Sequence, residues 1–564
     1  MTSLRPLLTA ALALTLTLSA CTKKEGSAPT SQGAIKLLSD PLLEKLPTTT
    51  AGFSIIDFSG SGYKLLQASP FGNASKTALS LDNLVEAARE NGSDDAQIEV
   101  LKKGFESLVK IGLLSPEGRY TPEKVVAHVA LFAAPSANQS TPVTAGLFAT
   151  AATGVDLSEK VAILRSLLAE ADFKITPQKF GAVDGFVAEL DELPLQLHLA
   201  ANKTTFGVTL TKADLEGLFS ASNTDTMKQL VALPEFTSAT AKLDRNDDTV
   251  GFAFASIARF QPLLETLAQR DDSGSGFDPK TLPITAFAAQ TAFGKQYVSQ
   301  VNFTVSPRTE SQTKIFSALE GSSISPLAAK LPSDTAVAIS LDSKSIGKLD
   351  SLLQSFQDGE GSEALAHVKK LQGVTLGLRN NTAGSPLPDF YLSIDSTSRD
   401  DMEKFLESSL GILMAVTGQN ASWLSKDING VPTRYFTTMI GVGAYLSSPK
   451  DSQALLIGSS EAVIKDLLAT QEGKSPAFTT NLPQPLQAQL SASNLVSLYF
   501  NFKQVGDVVD SVKGSLAMFT GGSPELNETL DAGKIRALGI GVGGVSYAAG
   551  VLSLQSTFEL PATK

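Results

Sequence analysis

LPTTTAGFSIID (Leu46–Asp57) and LPSDTAVAISLD (Leu331–Asp342) are the two stretches from which the fold is read. In each, a Leu-Pro pair leads to Thr-Ala (Thr50-Ala51, Thr335-Ala336), and an aspartate, Asp57 or Asp342, follows the proline by ten residues. All shared positions stand 285 residues apart. A second pair of anchors follows at an offset of 249: TKADLEGLFS (Thr211–Ser220) with SEAVIKDLLA (Ser460–Ala469), and Leu233-Pro234 with Leu482-Pro483. Ordered anchors with shared spacing indicate one unit written twice. The fall in offset assigns extra residues to the first copy, at the helix-rich stretch from Leu81 to Leu114.

Both copies close on an alternating run. QYVSQVNFTV (Gln296–Val305) alternates Val301, Phe303 and Val305 with Gln300, Asn302 and Thr304. VLSLQSTFEL (Val551–Leu560) alternates Leu552, Leu554, Phe558 and Leu560 with Ser553, Gln555, Thr557 and Glu559. Period two with one polar face predicts half-exposed antiparallel strands, polar side to water. Elsewhere strands and helices mix. DFYLSIDS (Asp389–Ser396) reads as a strand. A helix follows, N-capped by Ser398, with Met402, Phe405, Leu406, Ser409, Leu410 and Leu413 on its inner stripe. RYFTTM, VGAYLSS and ALLIGSS read as short strands before a helix capped by Ser460. The expected fold is α+β: two tandem duplicated lobes, each a mostly antiparallel sheet with packed helices. The expected division is a signal segment at 1–20, a tether at 21–33, lobe 1 at 34–325 with its helical insertion near 81–114, and lobe 2 at 326–564.

The chain has 564 residues, 42% hydrophobic and 18% charged, with a net charge of −11. That length predicts several domains, and the acidity with no basic cluster argues against nucleic acid as a partner. Cys21 is the single cysteine, so the body can form no disulfide within the chain. It follows MTSLRPLLTAALALTLTLSA, which has one early positive charge at Arg5, then an apolar run ending in small residues. This is a secretory layout, too short to span a bilayer stably. After it, TKKEGSAPTSQG is polar and aperiodic, a flexible tether.

The tetrapeptide LSAC (Leu18–Cys21) resembles the lipobox of bacterial lipoproteins. The resemblance covers about the first 21 residues. It implies cleavage before Cys21, a diacylglyceryl group on its sulfur and acylation of the new amino group. Two or three chains give stable anchoring. Thr22, where the enterobacterial sorting rule reads Asp as inner-membrane retention, points to the outer membrane. The repeated LP-plus-strand unit resembles those of uncharacterised exported bacterial proteins, which implies no activity.

Motifs with chemical meaning are few. Gly539, Gly541 and Gly544 satisfy GxGxxG, but a strand-like run follows where a nucleotide site needs a helix. Ser61–Lys64 and Ser345–Lys348 are both SxxK, which resembles the nucleophile motif of penicillin-binding proteins and class A β-lactamases. The SxN and KTG companions are missing, so exposed helix starts explain both copies. The three histidines, His128, His198 and His367, have no ligand spacing. Asp244–Asp248 begins like a calcium loop, yet Thr249 and Ala255 occupy the positions that need Gly and Glu, so a hairpin turn is expected. Trp423 and the 29 phenylalanines are expected in the core.

The sequence therefore predicts no catalytic, cofactor or metal residues, and one lipidation site, Cys21. The leading expectation is a membrane-anchored lipoprotein of the bacterial envelope with a non-catalytic binding or scaffolding role and an envelope protein or lipid as partner. Binding or transfer of a lipid or other apolar ligand is the alternative, and an SxxK-type serine hydrolase the second.

Overall fold

The computed structural model describes residues 42–69, 81–90, 95–116, 120–136, 143–170, 173–190, 193–220, 224–241, 243, 246–270, 278–320, 331–341, 367, 370–381, 388–406, 423–437, 443–450, 452, 454–492, 495–520 and 532–559. The chain divides between Ser306 and Pro307 into two compact units.

The first unit contains β1 (Gly52–Asp57), β2 (Val126–Pro135), β3 (Val143–Ala151), β4 (Lys174–Phe180), β5 (Val183–Leu190), β6 (Leu193–Ala201), β7 (Thr205–Thr209), β8 (Thr249–Ser256), β9 (Ile284–Phe293) and β10 (Gln296–Val305). Its helices are α1 (Ser61–Ala68), α2 (Leu81–Glu90), α3 (Asp95–Ile111), α4 (Leu157–Glu170), α5 (Lys212–Phe219), α6 (Thr224–Val231), α7 (Pro234–Thr240) and α8 (Ile257–Arg270). The strands pair antiparallel in the order β4-β5-β6-β7-β3-β2-β1-β8-β9-β10.

The second unit begins with α9 (Glu310–Leu319). It continues through β11 (Val337–Leu341), β12 (Leu371–Arg379), β13 (Asp389–Ser396), β14 (Leu424–Ile428), β15 (Val431–Thr437), β16 (Gly443–Ser447), β17 (Ala454–Gly458), β18 (Val496–Asn501), β19 (Ile540–Ala548) and β20 (Val551–Glu559). Helices α10 (Glu461–Gln471), α11 (Gln484–Ala492), α12 (Phe502–Thr520) and α13 (Ala532–Arg536) complete it. Its order, again antiparallel throughout, is β14-β15-β16-β17-β13-β12-β11-β18-β19-β20. Strand for strand, this is the order of the first unit. Antiparallel sheets with packed helices are the α+β class expected from the sequence.

The quoted stretches are central to both sheets, and their chemistry explains why. In the first unit, Thr50 donates through its amide (3.0 Å) and its hydroxyl (2.6 Å) to the Pro47 carbonyl, closing a turn. Thr335 does the same to Pro332 at 3.1 and 2.5 Å. The next residue enters the sheet at once. Ala51 donates to Ala133 and accepts from Ser256, as Ala336 donates to Leu378 and accepts from Asn501. The second anchors are also matched, with Thr211 capping α5 through the Asp214 amide and Ser460 capping α10 through Val463.

One face of each sheet packs on helices and forms the main core. In the first unit, Phe53, Phe132, Phe148, Phe252 and Phe254 meet Leu215, Leu218 and Phe236. In the second, Tyr391, Tyr499 and Val542 meet Leu467, Phe478 and Leu486. The two cores exchange an aromatic between strands. Phe132 on β2 lies over Gly146, where a Cβ would come within 2.6 Å of the ring. In the second unit the aromatic is Tyr391 on β13, lying over Gly377 of β12 at 2.0 Å. These are equivalent positions by register, with glycine and ring interchanged.

The closing strands differ from expectation. Gln300 and Asn302 are buried, as are Ser553, Gln555 and Thr557, whereas Val301, Phe303, Leu552, Leu554 and Phe558 are only half-buried. The polar side therefore faces the helices. Helix ends supply the reason in the first unit: the Asn302 amide donates to the Ala239 carbonyl near the end of α7 (2.8 Å), and Gln300 donates to Asn302 (3.1 Å).

Candidate functional site

Cys21, Ser345, Lys348, Asp342 and Asp244 lie outside the described residues. Ser61 opens α1, and its hydroxyl lies 2.9 Å from the Asp247 carbonyl and 3.4 Å from Asp248 Oδ1, with no contact to Lys64 among its hydrogen bonds. Asn246–Asp248, expected in a hairpin, instead turns the chain from α7 into β8, with the Asp248 amide on the Asn246 side chain at 3.0 Å. Gly541, Gly543 and Gly544 lie within β19, as their alternation with apolar residues predicts. Gly541 has a packing reason, since a Cβ there would stand 2.5 Å from the Phe558 ring. Trp423 packs edge-on to Phe436.

The histidines have separate settings. His198 on β6 is buried edge-on to Phe180; burial, then the Lys212 charge, pushes its pKa down. His367 stacks on Phe405 at 4.5 Å. His128 on β2 does meet an acid and a serine: its Nε2 is 3.4 Å from Asp57 Oδ1 and 3.3 Å from Ser59 Oγ, and its Nδ1 is 3.1 Å from Thr150 Oγ1. A hydrolytic triad places serine and acid on opposite ring nitrogens. Here both crowd one nitrogen, and Asp57 already accepts the Ser59 hydroxyl and the Ser59 and Gly60 amides at 2.8–2.9 Å. The cluster clamps the end of β1 to β2.

A charge cluster around a buried arginine in the second unit escapes sequence reading. Arg379, 1% exposed, donates to Asp466 (2.8 Å) and Asp334 (3.1 Å), with Asp389 3.6 Å from its Nε. Burial opposes its charge, but the Asp466 hydrogen bond and the three carboxylates outweigh it and raise its pKa. The cluster ties the Pro332 turn to β12, β13 and α10. Among the described residues no three His, Cys, Asp or Glu side chains stand together as a metal site, and no helix is long and apolar enough to cross a membrane.

A further polar feature is the core face of the second sheet. Register aligns Ser393, Thr375, Ser340, Ser497, Gly544 and Gln555 in one row across β13-β12-β11-β18-β19-β20. Ser546 and Ser553 oppose each other in the next row. The Ser340 and Thr375 hydroxyls bond to each other at 2.9 Å. The hydroxyls of Ser393, Ser497, Ser546 and Ser553, and both amide atoms of Gln555, are buried without a hydrogen-bond partner. In the first unit, register places Phe148, Ala130, Ile55, Phe252, Gln290 and Gln300 along the same row, and Ala292 opposite Val298 in the next. The row of the first unit is thus apolar as far as Phe252 and ends in two glutamines, whereas that of the second carries small hydroxyl residues as far as Ser497. On the opposite face of the second sheet, Leu341 and Leu376 are 38% and 40% exposed.

No family model matches the chain. A search of curated proteins also finds no match. Among solved structures, crystal forms III and I of TP0453 are similar over 51% of this chain. Form III covers 88% of its own chain at 11% identity with a TM-score of 0.23, and form I covers 87% at 12% identity with a TM-score of 0.22. Overlap at that level carries no functional argument.

Alternation in VLSLQSTFEL revealed the strand but could not say which side faced helices, because both sides of β20 are at least half-buried. Only Ile55 and Ser340 share a sequence offset, 285; the correspondence of Phe252 with Ser497 needs the strand register.

Proposed function

We propose that the protein is a lipoprotein of the bacterial cell envelope, anchored through Cys21, whose body binds a ligand and does no catalysis. We further read the two units as copies of one ancestral unit, with binding specialised in the second. The observation that carries the binding reading is the change from Phe252, Ala292 and Val298 to Ser497, Ser546 and Ser553 at equivalent core-face positions. Hydroxyls buried without a protein partner cost about 1–3 kcal/mol each, a cost that a polar ligand reaching them would reduce. The shared strand order and the matched Thr50 and Thr335 turns support the copy reading. A purely apolar ligand suits this lining poorly, because it would leave the hydroxyls unsatisfied. The SxxK hydrolase loses support because the Ser61 hydroxyl bonds the Asp247–Asp248 turn and not the lysine of its own motif. Scaffolding is the second reading, supported by exposed Leu341 and Leu376.

Anchoring is tested by Cys21→Ser. The wild type should fractionate with membranes and resist alkaline extraction, and the variant should be released. A variant that stays membrane-bound would end the lipoprotein reading.

A further inference from the structure

The two sheets differ at corresponding edge strands. Among the described residues β4 pairs with β5 alone, and β14 with β15 alone. Each opens a hairpin with a two-residue turn, Gly181-Ala182 or Asn429-Gly430, entered at positive φ (62° and 53°). The residues flanking such a turn form a bonded pair, so the residue before that pair, and every second one upstream, points its N–H and C=O along the open edge. In β4 these are Lys179 and Pro177; in β14 they are Asp427 and Ser425. Pro177 has no N–H to offer a further strand, and the Lys179 side chain, 76% exposed, adds a charge. Both devices keep an edge from pairing. Ser425 stands where Pro177 does and restores the donor. Ser425 and Asp427 are exposed to solvent, and Leu424, at 51%, is the most exposed of the large apolar side chains described. The lysine of β14 does not guard its edge: Lys426 bonds Glu461 of α10 and lies 4.6 and 5.1 Å from the Tyr435 and Tyr445 ring centres.

Charge selects the strand that fits this edge. Arg434, its side chain 48% exposed, stands opposite Ser425 on β15. A second β14 laid antiparallel about a two-fold axis at Lys426 brings Ser425 against Asp427 of the second copy, and the reverse, with four backbone hydrogen bonds. One row of the sheet then runs Arg434, Ser425, Asp427 of the second copy, and the long arginine passes over the serine to the carboxylate. On the other face the exposed Leu424 meets Ile428 of the second copy. The two Lys426 side chains face each other, each already neutralised by its own Glu461. An axis at Ser425 would instead set the two Arg434 side chains in one row, like charge toward like. The edge is thus complementary to itself in one register. We propose that β14 is an association surface for a second copy of this chain, joining two second-unit sheets edge to edge in the register centred on Lys426. This goes beyond the binding reading above and does not depend on it.

The test is sedimentation equilibrium of the full-length protein in density-matched detergent, from about 1 to 100 μM, a range that reports weak pairing. The wild type should rise from one chain mass toward two. Ser425→Pro, which installs the first unit's residue at a position that makes no bond to β15, should weaken association at least about tenfold. Asp427→Arg should weaken it as well, by setting two arginines in one row. Adding Arg434→Asp to that variant reverses the row and should restore association. Both charge variants lack the bond from Asp427 Oδ1 to the Gly430 amide (2.7 Å), so the restoration isolates the contact between copies. A wild type that keeps one chain mass at every concentration overturns the proposal. A dimer that neither Ser425→Pro nor Asp427→Arg weakens places the contact elsewhere and overturns it equally. Where Ser425→Pro fails to fold, the charge reversal decides alone.

Discussion

At the residue scale, matched turns make unequal demands. The Thr50 hydroxyl serves only the Pro47 carbonyl, which the Thr50 amide also reaches. Thr335 additionally bonds the hydroxyl of Tyr391, which is fully buried and whose pKa burial drives upward. Removing the Thr335 hydroxyl strands a phenol, so Thr335→Val should cost about 1–3 kcal/mol and Thr50→Val at most about 1 kcal/mol. Urea unfolding of the two variants checks this, and equal losses would refute it. Arg379 presents a larger case. Arg379→Leu would leave Asp389, 3% exposed as a side chain, with no counter-charge, at a cost of about 3–5 kcal/mol. A loss below about 1 kcal/mol would mean that the cluster is not load-sharing. Nothing in the sequence flagged Arg379, because its three partners come from 45 residues upstream, ten downstream and 87 downstream.

At the element scale, α10 shows how a sequence-legible cap is completed by contacts that sequence does not reveal. Ser460 was recognisable as the N-cap. The partner of Glu461 in the first turn was not: Lys426 arrives from β14, and Lys465 lies one turn on. Hydrogen bonds from Lys426 and then Lys465 hold Glu461 down to about 2, from its ordinary 4.5. A lowered carboxyl stabilises the fold above about pH 4.5, and this contribution is lost as pH falls toward 2. Glu461→Gln should therefore lower the urea midpoint near pH 7, with the gap unchanged down to about pH 5 and narrowing from there to pH 3. A gap that is constant with pH would contradict the assignment. The strands teach a related lesson. Their existence at Gln296–Val305 and Val551–Glu559 was legible from period two, but the direction of each face was not. Alternation gives two faces, and only the neighbouring helices decide which is inside.

At the scale of the whole molecule, the α+β class and antiparallel pairing were legible because the anchors are local: a Leu-Pro, a threonine that closes a turn, an alternating strand. The strand order was not, since it depends on pairings between distant strands such as β3 with β7 and β13 with β17. The candidate site was hidden for a similar reason. Each serine on its own reads as an ordinary solvent-facing residue, and only register collects Ser497, Ser546, Ser553 and Gln555 on one buried face. The central claim is that these four groups have a partner that is not protein. The most direct measurement is an electron-density map of the full-length protein at a resolution that shows ordered water. The account predicts ordered non-protein density within hydrogen-bond distance of all four side chains, bridging β18 to β20. Four side chains bonded to one another or to protein atoms, with no other density beside them, would contradict it.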